Sequence, residues 1–372
     1  MQSFFDERVK FAIEHIWINP LSGKREEALS ALREAANMGD GDAFYFLGRC
    51  YLGRSFADPV LGLPDDRKFA FECFDKSLEL ESAVGMFATM HIEGYEPSQG
   101  TFIHPPYKSK REIWDKVYGM AMDGEIFCRF LVANAYFYCD VADFLDITPE
   151  SAGGEEPYLR RVREWAAAAV GLYEGCVNEG LGIAIPNLID ILSSGKNGIP
   201  VMKKRADKYK HIAADMGIGA YERIIGNEYR DDNRLDEALA MYERAASHGD
   251  GYAHYCLGKF YTLRGVLGMN LKKAADYFEK GIASYPNDKG LCNLLGEIRF
   301  RGGQGLACDF PKAFALLDNA YRNGSTWGSD MLGMCYLKGL GTEVDLEMAR
   351  WMFELNPKKR FAVWGLEELE SY

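Results

Sequence analysis

No apolar run in this sequence approaches the length of a membrane span. The longest aliphatic stretch, residues 165–173, is far shorter than the ~20 residues that cross a bilayer as a helix. Near the N-terminus, Asp6 and Glu7 stand where a secretory signal would need positive charge followed by an apolar run. We therefore expect a soluble chain with no secretory signal and no membrane insertion.

Paired cysteine motifs are also missing. The sequence has nine Cys, an odd number, scattered along the chain without any C-x-x-C. We interpret them as reduced thiols, buried in helices as small apolar side chains. That interpretation favours a reducing, cytoplasmic location.

Motifs that carry catalysis or bind cofactors are equally scarce. The six His are isolated, and no H-E-x-x-H or G-x-S-x-G occurs. The one Gly-rich run, residues 302–305, is not followed by Lys-Ser/Thr and no strand precedes it, so it does not fit a phosphate loop. We expect no catalytic residues, no metal and no cofactor. An enzyme with an unfamiliar site, such as a hydrolase or a transferase, is the rival interpretation.

Basic residues are outnumbered by acidic ones. The chain has 372 residues, with 43 Lys and Arg against 55 Asp and Glu, and a formal net charge of −12. Phosphate contacts need clustered positive charge, so we do not expect nucleic acid as a partner. A hydrophobic fraction of 48% with 26% charged residues is typical of a folded protein.

The sequence does contain a repeated helical hairpin. In residues 324–354, apolar positions at helical spacing form two stripes that are separated by Gly339 and Gly341. The same pattern recurs roughly every 40 residues, which is typical of stacked helical arrays. A small or apolar residue in the middle of each first helix marks the copies: Gly48, Ala88, Ala133, Ile189, Gly226, Gly258, Gly296 and Gly333.

These copies resemble the Sel1-like repeat family, a relative of the tetratricopeptide repeats. The resemblance covers residues 28–354 and is strongest after Gly217. It implies an all-α, right-handed α-solenoid, or superhelix, that serves protein–protein contacts. The residues that carry it are Ala253, Leu257, Gly258, Tyr261, Ala274, Tyr277 and Phe278, and then Leu332, Gly333, Tyr336, Gly339, Leu340, Gly341, Asp345, Ala349 and Trp351.

The repeats divide the chain into four predicted parts. Residues 1–38 form N-terminal capping helices, 39–216 divergent repeats with inserted loops, 217–354 regular repeats, and 355–372 a C-terminal capping helix. The predicted insertions are Gly53–Asp65, Gly94–Lys110 and Asp140–Pro157. The last, which we call the acidic loop, contains no Lys or Arg, and we expect it to be mobile.

Glycine inside a helix needs a compensating gain. It costs about 1 kcal/mol relative to Ala, so it should persist where two helices approach closely. We therefore predict that Gly258 and Gly333 lie at helix crossings with no room for a branched side chain.

The resemblance also implies which surface binds a partner. In this repeat class the first helices line the concave face, and Arg and Tyr often anchor protein interfaces. The alternative is that these positions form a solvated helix face. The predicted concave-face residues are Tyr45, Arg49, Arg129, Phe130, Asn134, Arg223, Asn227, His254, Tyr255, Lys259 and Glu297. A second candidate surface is the acidic loop, with Asp143, Asp146, Glu155 and Glu156.

Together these features predict a non-enzymatic interaction protein whose partner is another protein. One use within this class is that of a bacterial immunity protein that neutralises a basic toxic effector, because opposite charges speed association. The alternative use is a general adaptor or scaffold of a multiprotein complex.

Overall fold

The chain is all-α in the residues that the structure describes. A computed structural model describes residues 4–52, 66–262 and 269–371, and these ranges contain twenty α-helices, short 3-10 and π-helical segments and no strand. The predicted all-α class is confirmed. The predicted loop Gly53–Asp65 lies outside the described residues. The chain divides into two compact units, Met1–Ile218 and Gly219–Tyr372, which we call the N-terminal and C-terminal units.

The N-terminal unit is a series of helical hairpins, in which each first helix packs on the second helix that follows it. In the fourth hairpin the two helices are separated in sequence by a short helix, α8 (Val141–Phe144). The helices are α1 (Glu7–Ile13), α2 (Arg25–Asn37), α3 (Gly41–Tyr51), α4 (Arg67–Glu79), α5 (Ala83–Thr89), α6 (Lys110–Met122), α7 (Ile126–Phe137), α8 (Val141–Phe144), α9 (Glu155–Asn178), α10 (Ile185–Ser194) and α11 (Lys203–Asp215).

The C-terminal unit contains four hairpins and a closing helix. The closing helix (Arg360–Leu369) packs on both helices of the last hairpin. The helices are α12 (Gly219–Asp231), α13 (Leu235–Ser247), α14 (Gly251–Thr262), α15 (Leu271–Ser284), α16 (Lys289–Arg301), α17 (Phe310–Arg322), α18 (Ser329–Lys338), α19 (Leu346–Glu354) and α20 (Arg360–Leu369).

Local sequence signals set the helix ends. Asp288, Asp309 and Asp345 each precede a helix, and each accepts a hydrogen bond from the backbone N–H three residues later, at 2.8, 3.1 and 2.9 Å. Such caps satisfy backbone donors that have no partner inside the helix. At the other end of α18, Gly339 has φ +66°, a left-handed conformation that favours glycine and stops the helix.

Three marker glycines of the first helices, Gly226, Gly258 and Gly333, each face a large ring from the second helix of the same hairpin. A Cβ built on Gly258 would be 2.4 Å from a ring carbon of Phe278, and one on Gly333 would be 2.4 Å from Phe353. At Gly226 the corresponding distance, to Tyr242, is 2.7 Å. Because the second helix supplies the large ring, the predicted lack of space at Gly258 and Gly333 is confirmed.

All nine Cys are free thiols, and six of them are buried. Burial raises the pKa of Cys50 to about 12, which keeps that thiol protonated. The expectation of buried thiols thus fails only for Cys139 and Cys256, which are half-buried, and for Cys308, which is exposed. Among the described residues, no helix combines the length and the apolar character needed to cross a bilayer.

Candidate partner-binding surface

In the N-terminal unit, three of the predicted surface residues lie in the core. Tyr45, Phe130 and Arg49 are 0%, 5% and 7% exposed. The guanidinium of Arg49 donates to the Tyr45 hydroxyl at 3.0 Å and lies 5.1 Å from the centre of the Phe127 ring. The rings of Phe46 and Phe127 meet at 4.7 Å, so α3 and α7 face each other directly. The prediction that these three residues line an open surface is wrong, because aromatic side chains fill the space between the two helices.

Arg129 and Asn134 are engaged within the N-terminal unit. Arg129 forms an ion pair with Glu179, which follows α9. The Asn134 Oδ1 accepts hydrogen bonds from the Tyr173 hydroxyl at 2.8 Å and from Asn187 Nδ2 at 2.9 Å. These contacts join α7 to α9 and α10, so they contribute to the packing of the unit.

The acidic loop is ordered rather than mobile. It contains the short helix α8, whose Phe144 is buried and stacks on Phe87 with ring centres 4.4 Å apart. Lys110 donates to both carboxylate oxygens of Asp143 at 2.7 Å. The expected mobility is therefore wrong, because an apolar anchor and an ion pair from outside the loop hold it. The side chains of Asp143, Asp146, Glu155 and Glu156 are all exposed.

In the C-terminal unit, the first-helix residues remain closer to solvent. Arg223 on α12 donates through Nε to Asp250 Oδ2 at 2.8 Å, and Asp250 Oδ1 in turn accepts from the backbone N–H of Tyr252 at 2.8 Å. The Arg223 guanidinium lies 5.7 Å from the centre of the Tyr252 ring. Tyr252 is 42% exposed and stacks on Tyr285 at 4.5 Å. An exposed ring is thereby fixed between two repeats.

The next residues along α14 continue the same surface. The Lys259 ammonium is exposed and lies 5.4 Å from the centre of the half-buried Tyr255 ring. Beside them, His254 stacks on Tyr277, and burial lowers the pKa of its imidazole. The resulting neutral histidine fits a packing role better than a charged contact.

Asn227 and Glu297 are satisfied by neighbours in the chain. Asn227 Oδ1 accepts from the Tyr242 hydroxyl at 2.8 Å, and Glu297 pairs with Arg301 at 2.8 Å. Asn227 thus ties α12 to α13 through the same kind of Tyr–Asn hydrogen bond that Asn134 forms in the N-terminal unit.

A second exposed ring precedes α18. Trp327 is 45% exposed, and the Lys359 ammonium lies 5.1 Å from the centre of its ring. Lys359 also lies 3.4 Å from the carboxylate of Asp330, which is buried. The Trp327 backbone N–H donates to the Ser325 hydroxyl, which accepts from Asn293 of α16 as well, at 3.3 and 2.7 Å.

We define the first-helix surface as the two exposed rings, the half-buried ring of Tyr255 and the cations around them. Its members are Arg223, Tyr252, Tyr255, Lys259, Trp327 and Lys359. Three of them, Tyr252, Trp327 and Lys359, are missing from the predicted set. A signal was present, however, because Tyr252 and Trp327 hold the same place relative to the marker glycines Gly258 and Gly333, at the start of the first helix.

The sequence and the structure were compared with known proteins. No protein-family model and no curated protein matches this sequence. One similar solved structure is a protective antigen of uropathogenic Escherichia coli strains, described as displaying an SLR fold. It is 18% identical with a TM-score of 0.47, over 98% of this chain and 79% of that chain. A Sel1 repeat protein from Oxalobacter formigenes is 23% identical with a TM-score of 0.47, over 67% of this chain and 94% of that chain.

A third similar structure is a human IFIT1 dimer with PPP-AAAA, which is 13% identical with a TM-score of 0.33, over 97% of this chain and 91% of that chain. At these levels of similarity, the fold assignment rests on this chain's own helical hairpins.

Proposed function

We propose that this chain is a protein-binding helical-repeat module whose first-helix surface holds a partner protein. The observation that carries the proposal is the pair of exposed rings, Tyr252 and Trp327, each beside a cation at 5.7 and 5.1 Å. Aromatic and Arg side chains are the residue types that most often dominate binding energy at protein interfaces.

The geometry of the first-helix surface favours tight binding. Tyr252 is held by its stacking on Tyr285 and by the nearby Arg223 guanidinium, and Trp327 is flanked by Lys359. Side chains that are already fixed lose less conformational entropy when a partner binds. We therefore expect the surface to bind with little rearrangement.

The chemistry of the surface suggests what the partner presents. The two exposed rings and the exposed Lys259 ammonium beside Tyr255 suit an apolar side chain next to a carboxylate. The exposed carboxylates of the acidic loop and the net charge of −12 suit a partner that is basic overall, because opposite potentials steer the first encounter. The surface thus holds the partner, and the acidic residues attract it.

Two uses of such a module remain open. As a bacterial immunity protein, it would occupy one basic toxic effector in a stoichiometric complex. As an adaptor or scaffold, it would bring together several cellular subunits. A non-enzymatic role is part of the proposal, and turnover by the purified protein in an activity screen would contradict it.

The test is affinity capture with matched variants. The full chain and the variants Trp327→Ala and Trp351→Ala are immobilised, and the proteins retained from a lysate of the native cells are identified by mass spectrometry. Trp351 is a suitable control because it is 54% exposed but lies on the second helix α19, where it donates to the Tyr321 hydroxyl at 3.1 Å.

Trp327→Ala should lose the specific partner, whereas Trp351→Ala should retain it. Equal retention by both variants would rule out the first-helix surface as the binding site. A single basic toxin among the retained proteins would favour the immunity role, and several housekeeping subunits would favour the adaptor.

A further inference from the structure

A cavity opens in the N-terminal unit between the start of α3, the start of α5 and one face of α6. Its volume is about 200 Å³. Asp42, Ser82, Tyr107, Lys116 and Phe4 contribute to its walls. A cavity of this volume has room for one side-chain-sized group.

Asp42 is a polar group of this cavity, and the contacts of its carboxylate are incomplete. One carboxylate oxygen accepts from the Ser82 hydroxyl at 2.5 Å. Among the described residues, no cation lies within 4.0 Å of the carboxylate, and no donor reaches its second oxygen. A partly buried carboxylate with so few close contacts is costly, because desolvation disfavours its charge.

The charges around the cavity are those that attract a cation. The carboxylates of Asp40 and Glu81 also line it, and Lys116 is the one basic residue of its lining. The Lys116 ammonium lies over the Phe4 ring at 5.4 Å and is near enough to Asp42 to favour the charged form of that carboxyl. The cavity therefore contains more negative than positive charge.

The backbone N–H groups at the helix starts beside the cavity already have acceptors within the chain, so they do not form an anion site. Asp40 accepts from the backbone N–H of Ala43 at 2.9 Å, and the Ser82 hydroxyl accepts from that of Gly85 at 2.8 Å. Because both caps are occupied within the chain, the remaining charged groups of the cavity are the carboxylates of Asp42 and Glu81 and the ammonium of Lys116.

We propose that this cavity binds a guanidinium or alkylammonium group, with Asp42 as its ionic partner and the Phe4 and Tyr107 rings beside it. This group belongs either to an arginine or lysine side chain of another protein or to a free cationic small molecule. Charge-assisted hydrogen bonds to a carboxylate, together with cation–aromatic contacts, are the interactions that recognise such groups. The cavity is in the N-terminal unit and the first-helix surface is in the C-terminal unit. The proposal for the cavity therefore does not depend on the proposed function of that surface.

The test is a titration of the full chain followed by backbone amide NMR. The probes are agmatine, a Gly-Arg-Gly peptide and a Gly-citrulline-Gly peptide, in which the guanidinium is replaced by a neutral group of the same shape. Both cationic probes should give saturable shifts confined to residues around 40–42 and 81–84 at about millimolar concentration. Tighter binding of the peptide indicates a protein source for the cation, and tighter binding of agmatine indicates a small molecule. Either result supports the site.

Three variants sharpen the titration. Asp42→Asn should weaken binding about tenfold or more, since it removes the charge that pairs with the probe. Glu156→Gln, which neutralises an exposed carboxylate of the acidic loop, should leave binding unchanged. Lys116→Met should strengthen binding, because it removes the competing cation, and it keeps the test valid if Asp42→Asn fails to fold. Absence of saturable shifts with either cation, or equal binding of the citrulline peptide, would overturn the proposal.

Discussion

Replacing Gly258 with Ala should destabilise the protein, although Ala is the better helix former. A Cβ at this position would lie 2.4, 2.6 and 2.8 Å from three ring carbons of Phe278. These distances are far below ordinary van der Waals contact, and Phe278 is 0% exposed in a core cluster with Ala274 and Leu295. The ring has no empty space to move into, so the helices must separate.

The magnitude follows from two opposing effects. Overpacking a core costs about 1–3 kcal/mol, and the change from Gly to Ala returns up to about 1 kcal/mol through helix propensity. Contacts as short as 2.4 Å place the overpacking cost in the upper part of its range, about 2–3 kcal/mol, so we expect a net loss of about 1–2 kcal/mol in the free energy of unfolding, measured by urea denaturation. Gly258→Val should cost more than Gly258→Ala, because it adds two further methyl groups to the same contact.

A matched glycine provides the control. Gly171 lies within α9, is exposed, and has no heavy atom within 4 Å of where its Cβ would be. Gly171→Ala should therefore stabilise the protein by about 0.5–1 kcal/mol. Adding Phe278→Leu to Gly258→Ala should recover part of the loss, because the smaller side chain relieves the contact. If Gly258→Ala is as stable as the parent while Gly171→Ala behaves as expected, the helix crossing is incorrectly assigned.

Three further predictions concern charge and thiols. Burial raises the pKa of Asp42 to about 6 from 3.8, so the stability that its protonated form contributes is present below pH 3.8 and is lost as the pH rises through 6. In urea denaturation at several pH values, Asp42→Asn should remove that decline in stability. An unchanged pH profile would contradict the assigned burial of Asp42. Exposed Cys308 should react first with a thiol reagent, and the six buried Cys should react only on unfolding; rapid reaction of all nine would show that the helices are not packed as described. Neutralising the four exposed acidic-loop carboxylates should slow partner association, and the effect should be smaller at high salt. An unchanged association rate would show that these charges do not attract the partner and serve solubility alone.

Much of the fold could be predicted because it depends on local sequence. The stripes and breaks of residues 324–354 give α18 and α19 directly, with Gly339 ending the first of them. The short connection between α12 and α13 also follows from the close spacing of Gly226 and Gly258. The ring that faces each marker glycine is harder to predict, because the loop between the two helices varies in length.

The candidate site was less predictable, because it depends on contacts between repeats. Tyr255 on α14 and Tyr45 on α3 hold the same position, three residues before their marker glycines. Tyr255 is half-buried, whereas Tyr45 is buried because side chains of α7 pack against those of α3. The composition of the acidic loop alone predicts mobility. The contact that holds Asp143 comes from Lys110, which lies far upstream in the sequence, so the composition of the loop does not reveal it. Neither contact leaves a signal within one repeat.

The most direct test of partner binding through the first-helix surface is the dissociation rate of the captured partner. It is measured by surface plasmon resonance for the parent chain, the double variant Tyr252→Ala/Trp327→Ala and the control Trp351→Ala. Truncating interface anchors typically costs about 2 kcal/mol or more, mostly as faster dissociation, so the double variant should dissociate about 30-fold faster or more. The control should match the parent. Equal dissociation rates for all three proteins would contradict the proposed surface.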